Sequence, residues 1–197
     1  MKNLSILFFT VLLAGCAAFS TKTANDYLAK SEMYYKTGNL KASWNYAQKA
    51  LKKDPTAVSA YGILGTILYD QGDHDNAIKY FESLYQAGDK RSEVLSALGA
   101  AYAAKGNYEE ALTYLDNSLQ MNPSNLSALT SLAGIYYSTQ EYQKAVDVYT
   151  AILEILPSAV IYNARAAAYE KLGQTDLALQ DYQAAGVEVE IIAGEAK

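Results

Sequence analysis

Residues 92–125 read SEVLSALGAAYAAKGNYEEALTYLDNSLQMNPSN, and this stretch decides the fold. A small-residue position at Gly99 and another at Ala111 flank a turn at Gly106-Asn107, and Pro123 closes the segment. The apolar residues on either side of the turn recur at helical spacing, so the stretch predicts two helices joined by a tight turn. Glycine at the turn can take the left-handed conformation that stops a helix, and proline near the end forbids its continuation.

The same pattern recurs along the chain. Gly38, Gly72 and Gly106 are spaced 34 residues apart, each followed by Asn or Asp. Pro55, Pro123 and Pro157 lie on the same ladder, with Asp89 in the remaining rung. The period defines units 24–57, 58–91, 92–125, 126–158 and 159–186. Position 8 holds Ser31, Gly65, Gly99, Ala133 and Ala166, and position 20 holds Ser43, Ala77, Ala111, Ala145 and Ala178. Small side chains there let two helices cross closely. Larger groups at positions 4, 7, 11, 21 and 24 fill the space around the crossing.

These columns resemble the tetratricopeptide repeat over residues 24 to about 186. The resemblance implies an all-α fold: an α-solenoid, a right-handed superhelix of about five helical hairpins. One hairpin cannot bury its own apolar face, so neighbours must stack. Unit 1 departs from the pattern, with Lys30 at an apolar position and Ala47 in place of an aromatic, and Trp44 is expected to compensate as a core residue. Unit 4 has Gln140 where the turn glycine belongs, which predicts some strain. In unit 5 the resemblance implies a structural ion pair between Arg165 and Asp181.

Ahead of the repeats, Lys2 and the apolar run Leu4–Leu13 form a secretory signal too short to span a bilayer. It ends in Leu13-Ala14-Gly15-Cys16, which resembles the lipobox of bacterial lipoproteins. The resemblance implies a signal peptide over 1–15, lipidation of Cys16, and a lipidated tether over 16–23. Cys16 is the only cysteine, so no internal disulfide competes for it. Ala17 in place of Asp implies export to the outer membrane, facing the periplasm; in a single-membrane cell the anchor would lie in the cell membrane. Eight extended residues reach at most about 27 Å, which keeps the solenoid close to the lipid.

The formal charge of −5 argues against nucleic-acid binding and equally against surface adsorption to anionic lipid. One histidine, His74, and one acylated cysteine supply neither a nucleophile–base pair nor a metal cluster. The chain is therefore expected to be no enzyme and to need no cofactor or metal, with His74 a packed turn residue.

The resemblance places first-helix positions 2, 5, 9, 12 and 13 on a concave groove. Asn25, Tyr35, Thr66, Tyr69, Asp70, Ala100, Thr130, Tyr137 and Asn163 are its candidate partner-binding residues. Tyr35, Tyr69 and Tyr137 share position 12 and either contact a partner or tuck between helices. Small residues Ala100, Ala103, Ala104 and Gly134 should leave the groove floor open to a helix or extended peptide. The build resembles type IV pilus pilotin lipoproteins, implying a protein-interaction scaffold that assists an envelope machine. Adaptors for peptidoglycan enzymes, polysaccharide export or outer-membrane protein assembly share it. A glycan-binding module, using Tyr69 beside Asp70, is the reading from another class. In the tail 187–197 the stretch Val187-Glu188-Val189-Glu190-Ile191-Ile192 alternates apolar and acidic side chains; Val187, Val189 and Ile191 are expected to fold over the last hairpin or pair with a second molecule.

Overall fold

The structure, a computed structural model, describes residues 22–186. The expected signal peptide over 1–15, Cys16, most of the expected tether and the tail 187–197 lie outside the described residues. Ten helices follow one another: α1 (Ala24–Lys36), α2 (Leu40–Lys53), α3 (Ser59–Asp70), α4 (His74–Gln86), α5 (Ser92–Ala104), α6 (Tyr108–Met121), α7 (Leu126–Ser138), α8 (Tyr142–Ile155), α9 (Ala159–Lys171) and α10 (Thr175–Ala184). They pair as five antiparallel hairpins, and among the described residues there is no strand. No described helix is long and apolar enough to cross a membrane.

Each hairpin is held at its crossing by the small columns. A Cβ built on Gly65 would stand 2.7 Å from the Phe81 ring, and one on Gly99 would stand 2.6 Å from Leu115. The position-8 glycine thus makes room for a large residue at position 24 of its own hairpin. Unit 1 solves the problem with serines. The Ser31 hydroxyl donates to the Ser43 carbonyl at 2.7 Å, and the Ser43 hydroxyl donates to the Ser31 carbonyl at 2.9 Å. Both serines are fully buried, so these reciprocal bonds satisfy hydroxyls that would otherwise cost stability.

The buried apolar side chains fall into four clusters, and each straddles one unit boundary. Ala24, Ala47, Ala50, Ala60 and Leu64 join units 1 and 2. Phe81 and Leu84 meet Val94 and Leu98 between units 2 and 3. Ala111 and Leu115 meet Leu132 and Ile135 between units 3 and 4, and Val146 and Ile152 meet Ala168 between units 4 and 5. Trp44 packs against the first two clusters, as its replacement role requires. Full burial of one leucine, as at Leu64 or Leu98, contributes about 1.5–3 kcal/mol, so stacking rather than helix propensity holds the array together.

The turns show where sequence departs from ideal chemistry. Gly38, Gly72, Gly106 and Gly173 all adopt positive φ, between 72° and 83°, just beyond the first helix of their hairpins. Gln140 occupies the same place with φ 65°, and it alone among the described residues other than glycine has positive φ. Left-handed backbone costs a residue with a Cβ about 1–2 kcal/mol, partly offset by the greater chain entropy that glycine loses on folding. Gln140→Gly is therefore expected to raise stability by about 0.5 kcal/mol, read as a higher urea midpoint with an unchanged slope.

The second helices end in two ways. Before Pro55, Pro123 and Pro157 the last residue turns extended, whereas α4 runs into Gly88 at φ 100°. Asp89 then accepts from the backbone N–H of Arg91, as Asp54 does from Thr56 and Asn122 from Ser124. An Asx turn thus links units 1 to 2, 2 to 3 and 3 to 4, with or without the proline.

Candidate partner-binding face

The first helices of successive hairpins lie side by side, and two cavities open on the face they form. One, of about 510 Å³, lies between α1 and α3, with Tyr35, Lys36, Ser59, Gly62 and Thr66 among its walls. The other, of about 210 Å³, lies between α5 and α7 under Tyr69, with Ala100, Ala103, Ala104 and Gly134 on its floor. A Cβ added at Gly134 would meet open space, so this glycine leaves room rather than permitting a close crossing.

The candidate residues separate into three groups. Tyr35 and Thr66 line the first cavity, and Tyr69 and Ala100 line the second. Asp70 is exposed and accepts a 2.7 Å hydrogen bond from the Tyr35 hydroxyl, which ties α1 to α3 at the edge of the groove. Asn25 and Thr130 are exposed outside both cavities, and Tyr137 and Asn163 are half-buried. The Asn163 side-chain oxygen is buried without a hydrogen-bond partner among the described residues.

The three position-12 tyrosines are not equivalent, and none stands free. The Tyr69 ring lies 5.3 Å from the His74 ring, and Tyr137 meets Tyr142 edge-on at 5.4 Å. Both pack on position 17 of their own hairpin, where the second helix begins. All three are half-buried: the Tyr69 and Tyr137 rings brace the turn, and Tyr35 and Tyr69 border the two cavities. His74 supplies one of those surfaces, and its Nδ1 is buried without a partner among the described residues.

Arg91 and Asp89 also border the first cavity, and sequence reading passed over Arg91. Arg91 donates to Asp89 through Nε at 2.9 Å and through its terminal nitrogen at 2.6 Å. These bonds hold the Asp89 carboxyl below the usual carboxylate range. The fork leaves the guanidinium plane accessible, with 70% of the Arg91 side chain exposed. The signal was local, since a single residue lies between the pair, but its placement at a cavity depends on the turn after Gly88.

Burial, and then the bond to Asp70, push the Tyr35 hydroxyl up to about 12. Tyr102, beside Glu82, and the buried Tyr149 are raised as well, chiefly by burial. A phenol whose folded pKa exceeds its unfolded value contributes stability below the unfolded pKa and loses it as pH rises through the folded one. Stability should therefore be flat to about pH 10 and fall between about 10 and 12. Tyr35→Phe is expected to soften that fall, as seen in unfolding midpoints taken across the alkaline range.

Chemically the face offers hydrogen bonds, one fork of positive charge and two recesses with apolar walls. No group of His, Cys, Asp and Glu among the described residues is placed to hold a metal ion. Comparison with known proteins bears on the fold. Family models described as tetratricopeptide repeat match residues 28–92 and 159–185, and one described as anaphase-promoting complex, cyclosome, subunit 3 matches 70–152. Among solved structures, MamA is 24% identical, with 82% of this chain and 89% of that one covered at a TM-score of 0.67. A thermophilic TPR protein of Thermus thermophilus, TTC0263, is 23% identical, covering 83% and 90% with a TM-score of 0.70. YrrB, described as a TPR protein with an unusual peptide-binding site, is 20% identical, covering 82% and 84% with a TM-score of 0.63. No curated protein matches the sequence. Hairpins, stacking and repeat models together define an α-solenoid built from helical hairpins. Tetratricopeptide-repeat models match two stretches of this chain, and its fold is that of solved tetratricopeptide-repeat proteins.

Proposed function

We propose that this chain is a protein-interaction scaffold of the cell envelope, anchored through lipidated Cys16 and binding an extended or helical segment of its partner in the groove. The observation that carries the reading is the pair of recesses between neighbouring first helices. Their apolar floors accept side chains, and Tyr35, Thr66 and Arg91 supply hydrogen-bonding groups at the walls. The peptide-binding site described for YrrB lends this use of the fold support by analogy. The lipobox-like Leu13-Ala14-Gly15-Cys16 supports the lipid anchor, and Ala17 in place of Asp supports an outer-membrane position facing the periplasm. There the scaffold would assist assembly or localisation of an envelope machine, such as a type IV pilus secretin. Peptidoglycan enzymes, polysaccharide exporters and outer-membrane assembly factors are the other machines that fit.

A peptide is favoured over a glycan by the state of Tyr69 and Asp70. The tyrosine ring is turned against His74, and the carboxylate already accepts from Tyr35, so no open ring-and-acid platform remains. Two variants test anchor and groove separately. Cys16→Ser is expected to release the protein from the membrane fraction. Ala103→Arg, which drives a long cation into the second recess, should weaken crosslinking to the envelope partner at least about tenfold with helical circular dichroism unchanged. Equal crosslinking by Ala103→Arg would remove the groove from the proposal, and an unmodified Cys16 in the mature wild-type protein, read by mass spectrometry, would remove the anchor.

A further inference from the structure

The formal charge conceals a strong asymmetry. Residues 22–57 carry seven lysines and three carboxylates, a formal +4, while residues 58–186 carry seven basic and fifteen acidic side chains, a formal −8. Every ion pair among the described residues lies in units 2 to 5, so the lysines of unit 1 keep their charge toward solvent.

Some of that charge gathers on the end of the solenoid. In unit 2 the position-23 ring, Tyr80, receives the edge of Trp44 from the preceding unit, 6.0 Å away. In unit 3 the equivalent Tyr114 receives Tyr85 from the preceding unit, at 6.2 Å. Position 23 is thus a socket for the neighbour before it. In unit 1 that socket is Tyr46, and no earlier unit is present among the described residues. Its ring stacks with Tyr34 at 5.4 Å and Tyr27 at 6.3 Å, and the ammonium groups of Lys30 and Lys49 stand 5.5 and 4.9 Å from its centre. Lys30 also joins Lys22 and Met33, which is 49% exposed, around a shallow recess whose one carboxylate, Asp26, already accepts from Thr23. Aromatic rings with polar tips beside flexible cations suit the headgroup layer of a bilayer: rings settle at the interface and ammonium groups reach phosphates.

We infer that the open end of unit 1, formed by Tyr27, Tyr34, Tyr46, Lys22, Lys30 and Lys49, docks on an anionic phospholipid surface. Charge complementarity selects this occupant. Each Lys or Arg near an anionic leaflet contributes about 1 kcal/mol, roughly a fivefold gain in binding. The acidic remainder of the array is repelled, so the solenoid points away from the bilayer with its groove accessible. A second copy stacked end to end fits less well, because residues 159–186 carry a formal charge of only −1. The docking rests on the lipidated Cys16 only for delivery, since the residues between Cys16 and Thr23 keep this end within about 27 Å of the membrane.

The test uses the full chain purified from membranes, mixed with vesicles of phosphatidylcholine alone or of phosphatidylcholine with phosphatidylglycerol. Flotation and lysine acetylation read by mass spectrometry are followed together. Slower labelling of Lys22, Lys30 and Lys49 on the anionic vesicles only, relieved by salt, supports docking. The combined substitution Lys22→Glu, Lys30→Glu, Lys49→Glu should abolish this protection and weaken the salt-sensitive binding by about a hundredfold or more. Flotation with both vesicle types but identical labelling would overturn the inference and leave the anchor standing. Flotation with anionic vesicles alone would support docking and overturn the anchor, and flotation with neither would overturn both. Protection that follows protein concentration on either lipid would mean a second copy covers the face, which also overturns it.

Discussion

Asp181→Ala should lower stability by about 3 kcal/mol, the largest loss expected from removing a single side chain's charge. The Asp181 carboxylate receives the Arg165 guanidinium through two 2.7 Å bonds, and a third guanidinium nitrogen donates to the Thr150 hydroxyl at 2.9 Å. The two side chains are only 16% and 7% exposed. Removing the carboxylate leaves a mostly buried cation with the Thr150 hydroxyl as its remaining hydrogen-bond partner. The repeat itself provides the control. At these two positions units 2 and 3 carry Leu64 with Tyr80 and Leu98 with Tyr114. The double replacement Arg165→Leu, Asp181→Tyr should therefore stand within about 1 kcal/mol of wild type, because a packed apolar pair replaces a buried ion pair at little net cost. Urea midpoints of the three proteins decide the matter. A wild-type midpoint for Asp181→Ala would show that the pair adds nothing to folding.

Gly99→Val should cost about 2–3 kcal/mol. The new Cβ would stand 2.6 Å from Leu115 and 3.2 Å from the Ala111 carbonyl, and the branched group could retreat only by parting α5 from α6. The damage falls in the middle unit, so it weakens coupling to both neighbours and should broaden the thermal transition. Gly134→Ala is the matched comparison. It lies in α7 with open space around it, so helix propensity should make it stabilising by up to about 1 kcal/mol. If both substitutions shifted the melting temperature alike, the close crossing at Gly99 would be wrong.

These two glycines show how much was legible in the sequence. Gly99 sits in a column that is small in every unit, so its crossing could be read from the period alone. The same holds for the strained turn at Gln140, a departure visible against four other copies, whereas the Arg165–Asp181 pair followed from the resemblance to the repeat family. The groove was less legible, because its residues are not what the repeat holds constant. Tyr35, Tyr69 and Tyr137 share a column, yet one bonds to the next hairpin while two lie against aromatic residues at position 17. Their fate depends on position 17, which is Leu40, His74 or Tyr142 in the respective units. The Arg91 fork depends on a single turn that breaks the proline ladder. Charge was legible but was averaged away: counted by unit, the lysines of the first hairpin stand apart from an otherwise acidic chain.

The placement of one apolar cluster at each junction makes the array a chain of links rather than a single block. Under tension a chain yields at its softest link, and the clusters differ in what they hold. In the link between units 1 and 2 the buried side chains are Ala24, Ala47, Ala50, Ala60 and Leu64, with Leu28, Trp44, Leu51 and Ile63 only partly buried around them, whereas the next link buries Phe81, Leu84, Leu98 and Val94. Alanine contributes little buried area, so less work separates the first link. A pull between the two ends would peel off the first hairpin while the remaining four held their shape. Compliance is thus concentrated at one end of the solenoid, where it acts as a short elastic joint in series with a stiffer rod.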